Sequence, residues 1–254
     1  KMHGNGNDFV MVNSLEKEFN PKKALIKKLG DRNLGIGFDQ MIHIGAPSKD
    51  NRDFAVKFYN TDGGKANMCL NGVRCAATYI WDNKFAPKRT LIFQTKKIDI
   101  ECRPLKEGVE VILKNPTYFI SKDLEKKLSK VIKTSFKLVD LGNLHLCIQK
   151  KSIDQFDLNG LYKKLEALLR PLGINLSIYS KDKDSYNIRT YENGVGETLS
   201  CGSASFSVAY LCLKDEIKKT TIKSSGGSIK FTKLDDRILM SGPTKFVYSG
   251  SFHE

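Results

Sequence analysis

The sequence predicts an α+β protein made of two equivalent halves, each a curved, mostly antiparallel sheet wrapped around a small-residue helix. Two observations carry this reading. Short β-branched segments bounded by Gly, Pro, Asn or Asp recur along the whole chain and are interrupted by a few helical stretches. One pattern also occurs twice: an alternating run, a glycine-bearing loop, a cysteine, then a helix rich in small residues. Placing Cys69 on Cys201, a shift of 132 positions, puts Tyr59 on Tyr191, Asn60 on Glu192, Gly64 on Gly196 and Ala77 on Ala209.

Two further matches bracket that one. Gly6-Asn7-Asp8-Phe9 opens the run Val10 to Val12, and Gly142-Asn143-Leu144-His145 opens the run Leu146 to Ile148. Near the end of each copy stands Pro-Thr-X-Phe, at 116–119 and 243–246. The shifts are 136, 132 and 127, so the copies differ by small insertions only. The halves are read as 1–118, carrying Cys69, and 119–254, carrying Cys201.

Taken in order, the first half predicts strands at 8–13, 40–45, 54–60, 90–95, 97–102 and 109–114, with helices at 22–31 and 70–83. The second predicts strands at 136–140, 144–149, 174–179, 185–192, 220–224, 227–232 and 237–241. Its helices are 122–133, 155–170 and 202–215. Within 155–170, Leu158, Leu161, Leu165 and Leu168 recur at spacings of three and four and form one apolar face. Helices 70–83 and 202–215 carry Ala76, Ala77, Ala204 and Ala209, small enough for close contact with a sheet. Each cysteine therefore falls at a helix start.

Composition bounds the function. The chain has 254 residues and 40% apolar content. It has no apolar run near the ~18 residues that span a bilayer, so it reads as soluble, without a membrane partner. The sequence opens at Lys1, which leaves open an initiating segment ahead of it. Net charge is +14, from 34 lysines and only 8 arginines. The lysines scatter over polar helix faces, as at Lys22, Lys23, Lys27 and Lys28, rather than clustering with arginine and aromatic platforms. That pattern speaks against nucleic-acid binding. The six cysteines form no close-spaced framework, which fits a reducing cytoplasm. Cys69 and Cys75 are too far apart, and histidines too few, for a structural zinc site.

A helix start carries unpaired backbone N–H groups and about half a positive charge. A thiol there is acidified, and a carboxylate can dock on the same amides. Two such starts facing one cleft would hold a substrate carboxylate between two thiols, with the adjacent α-carbon in reach of both. No glycine-rich phosphate loop precedes a helix with a nearby lysine, so pyridoxal phosphate is not expected. The chemistry this pattern suits is cofactor-free: removal of a proton from one face of a carbon and return of one to the other.

These motifs resemble the diaminopimelate epimerases, a cofactor-independent, two-cysteine family. Lys1 to Phe9 looks like the N-terminal signature and Gly35-Ile36-Gly37-Phe38-Asp39-Gln40 like the second motif. Asn60-Thr61-Asp62-Gly63 with Cys69-Leu70-Asn71-Gly72-Val73-Arg74-Cys75 resembles the first cysteine motif. Gly142 to His145 and Gly196 to Ser203 resemble the later ones. The resemblance implies interconversion of LL- and meso-diaminopimelate, on the route to lysine and peptidoglycan. It implies Cys69 and Cys201 as the acid/base pair, assisted by His145 and Glu192. The backbone of Leu70, Asn71, Gly202 and Ser203 would hold the reacting carboxylate. Asn7, Gln40, Asn60, Asn143 and Asn175 would line the cleft. The family fold also implies a chain end that crosses back onto the first half. The expected partner is a small amino-acid substrate; monomer and homodimer both stay open.

Four positions depart from the family pattern: Leu70 and Ala204 stand in place of glycines, Leu144 in place of a proline, and Asn193 in place of an arginine. In the family that arginine binds the distal carboxylate. Either another cation supplies the charge, or the substrate is an amino acid lacking that group. The related isomerases of phenazine synthesis share the fold but lack the cysteine pair, which argues against their chemistry here.

Overall fold

The computed structural model describes residues 1–17 and 19–252. The last two residues of the half read as 119–254 therefore lie outside the described residues. The chain divides into two compact units, one of Lys1–Ile112 with Ser241–Glu254 and one of Leu113–Met240.

In the first unit the elements run β1 (Met2–Gly4), β2 (Asn7–Asn13), α1 (Lys23–Gly30), β3 (Gln40–Gly45), β4 (Phe54–Asn60), β5 (Lys65–Ala66), α2 (Leu70–Asp82), β6 (Leu91–Gln94), β7 (Asp99–Pro104) and β8 (Val109–Lys114). Antiparallel pairs join β1 to β2, β3 to β4, β4 to β5, β6 to β7 and β7 to β8. Two pairs are parallel, β2 with β3 and β4 with β6. A parallel pair needs a crossover long enough to return the chain, and these two crossovers are where α1 and α2 lie.

The second unit runs β9 (Thr117–Tyr118), α3 (Lys122–Val131), β10 (Phe136–Asp140), β11 (Leu144–Gln149), α4 (Leu158–Leu169), β12 (Asn175–Asp182), β13 (Ser185–Glu192), β14 (Gly196–Thr198), α5 (Gly202–Cys212), β15 (Lys219–Ser224), β16 (Gly227–Lys233) and β17 (Arg237–Gly242). The order of pairings repeats. β10–β11, β12–β13, β13–β14 and β15–β16 are antiparallel; β11–β12 and β13–β15 are parallel. The register repeats too. Phe58 faces Ala66 and Tyr59 faces Lys65; Thr190 faces Thr198 and Tyr191 faces Glu197. Each of these positions is carried onto its counterpart by the same shift of 132.

The helix after each cysteine is the buried one. Val73, Cys75, Ala76, Ala77 and Ile80 of α2 are wholly buried, as are Ala204, Phe206, Val208 and Ala209 of α5. A helix buried all round needs small side chains where sheets approach. At Gly72 an added Cβ would lie 2.8 Å from Ile42 Cδ1. The outer helix α4 packs Leu158, Leu165 and Leu169 into a second-unit core with Leu146, Ile148 and Leu176, while Leu161 and Leu168 lie half-buried at its margin.

The observed elements follow the predicted ones with physical exceptions. Helix 155–170 starts at Leu158, because Asp157 turns its carboxylate onto the Gly160 amide and caps it. Helix 202–215 ends at Cys212, where Leu213 turns extended. The unforeseen strands β1, β5, β9, β14 and a last one, β18 (Lys245–Phe246), have two or three residues each. β18 pairs with β1, Met2 opposite Phe246, so the chain end is part of the first unit's sheet.

Candidate active site

Cys69 is the N-cap of α2. Its backbone is extended and its Sγ accepts the Gly72 amide at 3.4 Å. The sulfur is partly buried and lies 3.6 Å from Asn7 Oδ1 at the start of β2. Asn7 is held from both sides. Its amide donates to Asp39 at 2.8 Å, and its oxygen also receives the Asn71 amide at 3.4 Å. Asp39 sits in a charged cluster with Asp8 and Arg32, and Lys1 reaches Asp8 from the chain start. Burial alone would raise the Asp8 carboxyl, but Arg32 and Lys1 hold it at about 2. Burial raises Asp39, with Asp8 adding to the effect.

Gln40 and Asn60 face each other across β3 and β4, and the Gln40 amide donates to Asn60 Oδ1 at 2.8 Å. The Leu70 side chain is in the core, so only its backbone serves the helix start.

The second unit repeats the plan with different side chains. Cys201 is the N-cap of α5 and is buried, with the Ala204 amide directed at its sulfur. Two side chains also reach it. The thiol donates to the Glu192 carboxylate at the end of β13, and Ser203 Oγ lies 3.5 Å from the sulfur. Ser203 Oγ is also 3.0 Å from His145 Nε2 on β11, which makes a chain from His145 through Ser203 to Cys201. Burial, then the Glu192 charge, push the Cys201 thiol well above its ordinary range. Burial pulls His145 down to about 3, so it is a neutral imidazole near neutral pH. Glu192 is oriented in turn by the Thr198 hydroxyl at 2.7 Å.

Asn175 lies opposite His145 in the parallel β11–β12 register and accepts the Asn193 backbone amide at 2.9 Å. The Asn193 side chain points to the end of α4. Its amide donates to the carbonyls of Leu169 and Arg170 at 3.4 and 3.2 Å. Asn143 sits in the turn before β11, its carbonyl receiving the Leu141 amide. Gly202 and Ser203 form the first turn of α5.

The structure thus gathers Asn7, Cys69 and Asn71 in one unit, and His145, Glu192, Cys201 and Ser203 in the other. Gln40 with Asn60, and Asn175 with Asn193, form separate pairs. Sequence reasoning missed Asp39 as the anchor of Asn7, Thr198 as the anchor of Glu192, and the Ser203 hydroxyl as a link. The Thr198 signal was readable: it lies in the motif before Cys201, and β14 returns it beside Glu192. No group of three or more His, Cys, Asp or Glu able to hold a metal occurs among the described residues. None of their helices is long and apolar enough to cross a membrane.

The arrangement offers one sulfur under helix amides and one thiol between a carboxylate and a hydroxyl. A sulfur so placed, in either unit, has the chemistry of a general acid or base.

Comparison with known proteins gives the following likenesses. A sequence model of the diaminopimelate epimerase family matches residues 1–117. The diaminopimelate epimerase of Wigglesworthia glossinidia brevipalpis is 33% identical, the match covering 100% of this chain and 98% of that protein. That of Pseudomonas entomophila is 30% identical over 98% of this chain and 96% of its own. Among solved structures, a phenazine biosynthesis protein of the PhzF family from Bacillus anthracis has a TM-score of 0.69 at 13% identity, covering 98% of both chains. A predicted epimerase from Pseudomonas aeruginosa has 0.67 at 11%, covering 97% of this chain and 95% of that one. At such identities the structural likeness speaks to the fold alone.

Proposed function

Because this chain belongs to the diaminopimelate epimerase family and is an isomerase, we propose that it interconverts LL- and meso-diaminopimelate by two-thiol proton transfer. The observation that carries this reading is the matched pair of cysteine-capped helices, each set on the same order of strand pairings. In this mechanism the thiolate of one cysteine takes the α-proton, and the thiol of the other delivers a proton to the opposite face. The roles exchange for the reverse direction, and no cofactor takes part.

The backbone amides of Leu70, Asn71, Gly202 and Ser203 receive the reacting carboxylate and stabilise the enediolate. Preorganised donors of this kind are worth ~2.7–4 kcal/mol each in a water-excluded site. Glu192 accepts the Cys201 proton when that sulfur must become the base. His145, neutral and buried, serves through the Ser203 hydroxyl as a hydrogen-bond partner rather than as a charged acid. Asn7, Gln40, Asn60, Asn143 and Asn175 line the substrate. The reaction belongs to lysine and peptidoglycan precursor synthesis in the cytoplasm.

A second reading is supported by Asn193, whose amide is committed to the α4 carbonyls and carries no charge. A charged bidentate contact to a distal carboxylate is strong and shape-specific, and this position cannot make one. The alternative substrate is an amino acid with a single carboxylate. Incubation of LL-diaminopimelate and a panel of L-amino acids in heavy water, followed by α-deuterium uptake, separates the two. Uptake into diaminopimelate supports the first; uptake only into a monocarboxylic amino acid leaves the two-thiol chemistry and replaces the substrate.

A further inference from the structure

β4 carries two partners on one edge. Near its start it pairs with β6, Phe54 opposite Phe93 and Ala55 opposite Gln94. Near its end it pairs with β5, Phe58 opposite Ala66 and Tyr59 opposite Lys65. Its other edge is taken by β3. Val56 and Lys57 fall between the two partners, and neither faces a strand residue on that edge. At the gap lies a cavity of about 270 Å³, lined by Lys57, Lys65 and Lys96 and by apolar Val56, Phe58 and Ala66. None of its lining residues is acidic, and none belongs to the candidate active site. The three lysines are exposed, and among the described residues no ion pair engages them.

The second unit has the same gap. β13 pairs with β15 through Ser185 to Asn187 and with β14 through Thr190 to Glu192, which leaves Ile188 and Arg189 between them. The shift of 132 carries Val56 onto Ile188, Lys57 onto Arg189 and Lys65 onto Glu197. There the chain supplies its own anion. Arg189 donates to the Glu197 carboxylate at 2.6 and 3.0 Å, and to the carbonyls of Ile153 and Phe156 at 2.7 and 2.8 Å. In the first unit a second ammonium stands where that carboxylate would be. Residues two apart on a strand share a face, so Lys57 lies on the face of Tyr59. It is a diagonal neighbour of Lys65, a spacing that long side chains span. The first unit thus keeps the cationic half of the pair and lacks the acid.

We propose that this gap is a binding site for a small organic dicarboxylate without amino groups. One carboxylate lies between Lys57 and Lys65, in the role that Glu197 plays beside Arg189. The second lies on Lys96, and the hydrocarbon between them covers Val56, Phe58 and Ala66. Drug-sized ligands occupy pockets of roughly 300–1,000 Å³, so this smaller cavity takes a molecule of a few carbons. An inorganic anion would leave the apolar lining wet, and an amino acid would bring its ammonium against three lysines. Charge-assisted hydrogen bonds from the lysines to the carboxylates supply the affinity.

The probe is glutarate, titrated into the full chain at constant ionic strength and followed by calorimetry and by amide NMR shifts. Native protein should bind it saturably, with shifts confined to β4, β5 and the turn after β6. K65E restores the acid of the second unit beside Lys57 and should weaken glutarate by about tenfold or more, whereas K65R should retain it. Butyrate, with one carboxylate, should bind about tenfold more weakly than glutarate. Where K65E does not fold, K57Q decides in its place and should show the same loss. Absence of saturable glutarate binding to the native protein overturns the proposal, as does native affinity in K65E or in K57Q. Shifts centred on the Cys69 or Cys201 loops would place the dicarboxylate in the candidate active site and overturn it too. Tighter binding of inorganic phosphate than of glutarate would make this an inorganic anion site and equally end the proposal. None of these readouts uses turnover, so they stand apart from the two-thiol reading.

Discussion

His145 shows how a single side chain ties site chemistry to stability. Its folded value is about 3 against an ordinary 6.5, because burial disfavours the imidazolium. Between those values the unfolded chain binds a proton that the native protein does not. Stability therefore rises with pH across that window and is lost as pH falls from about 6.5 toward 3. One such group gives a slope of about 1.4 kcal/mol per pH unit. Urea unfolding of H145Q at several pH values should show that slope removed; an unchanged slope would place the dependence elsewhere. Thr198 tests the neighbouring carboxylate. T198V keeps volume but leaves Glu192 without the 2.7 Å hydroxyl bond, and kcat should fall by tenfold or more with the fold intact. The places of Cys69 and Cys201 at helix starts were legible in the sequence because their motifs are ordered and repeated. The contacts of Asp39 and the Ser203 hydroxyl were not, since they depend on side-chain direction after folding; Thr198 stood in a readable motif but was passed over. Asn193 was legible as a departure, but its bond to the α4 carbonyls was not.

At the scale of elements, the start of α2 is closely packed. Gly72 meets Ile42 Cδ1 and Phe58 Cε1, and both side chains are buried. G72A should lower stability by about 1–3 kcal/mol through overpacking. It should also lower kcat, because the Gly72 amide that reaches Cys69 must move. The counterpart in α5 is Ala204, so that loop already accepts a methyl group. A204G should lower stability by only about 0.5–1 kcal/mol through backbone entropy. Denaturation midpoints of the two variants check the asymmetry; equal costs would contradict it. The long strands were predictable because β-branched runs end at turn residues. β1, β5, β9, β14 and β18 are too short to show alternation, and only their tertiary pairing makes them strands. The first turn of 155–170 failed because Asp157 competes with the helix as a cap, a choice its flanking pattern did not display.

The two units differ in how the chain builds them. The second is one continuous segment, Leu113–Met240, whereas the first needs Ser241 onward. That end brings Gly242 against Arg74 and pairs Phe246 with Met2. Truncation after Met240 should therefore raise amide exchange in β1 and α2 while leaving α4 and β12 protected. Equal loss of protection in both units would contradict this division. The duplication itself was fully readable, because matching loops recur in order at nearly constant shift. The central claim is that Cys69 and Cys201 act on one α-carbon as base and acid. Its most direct measurement is LL-diaminopimelate turnover with α-deuterium uptake in heavy water, for native protein, C69A and C201A. The account predicts solvent deuterium in the native product and a loss of about 10²–10⁴-fold in epimerisation for either variant. Native turnover in either alanine variant would contradict it.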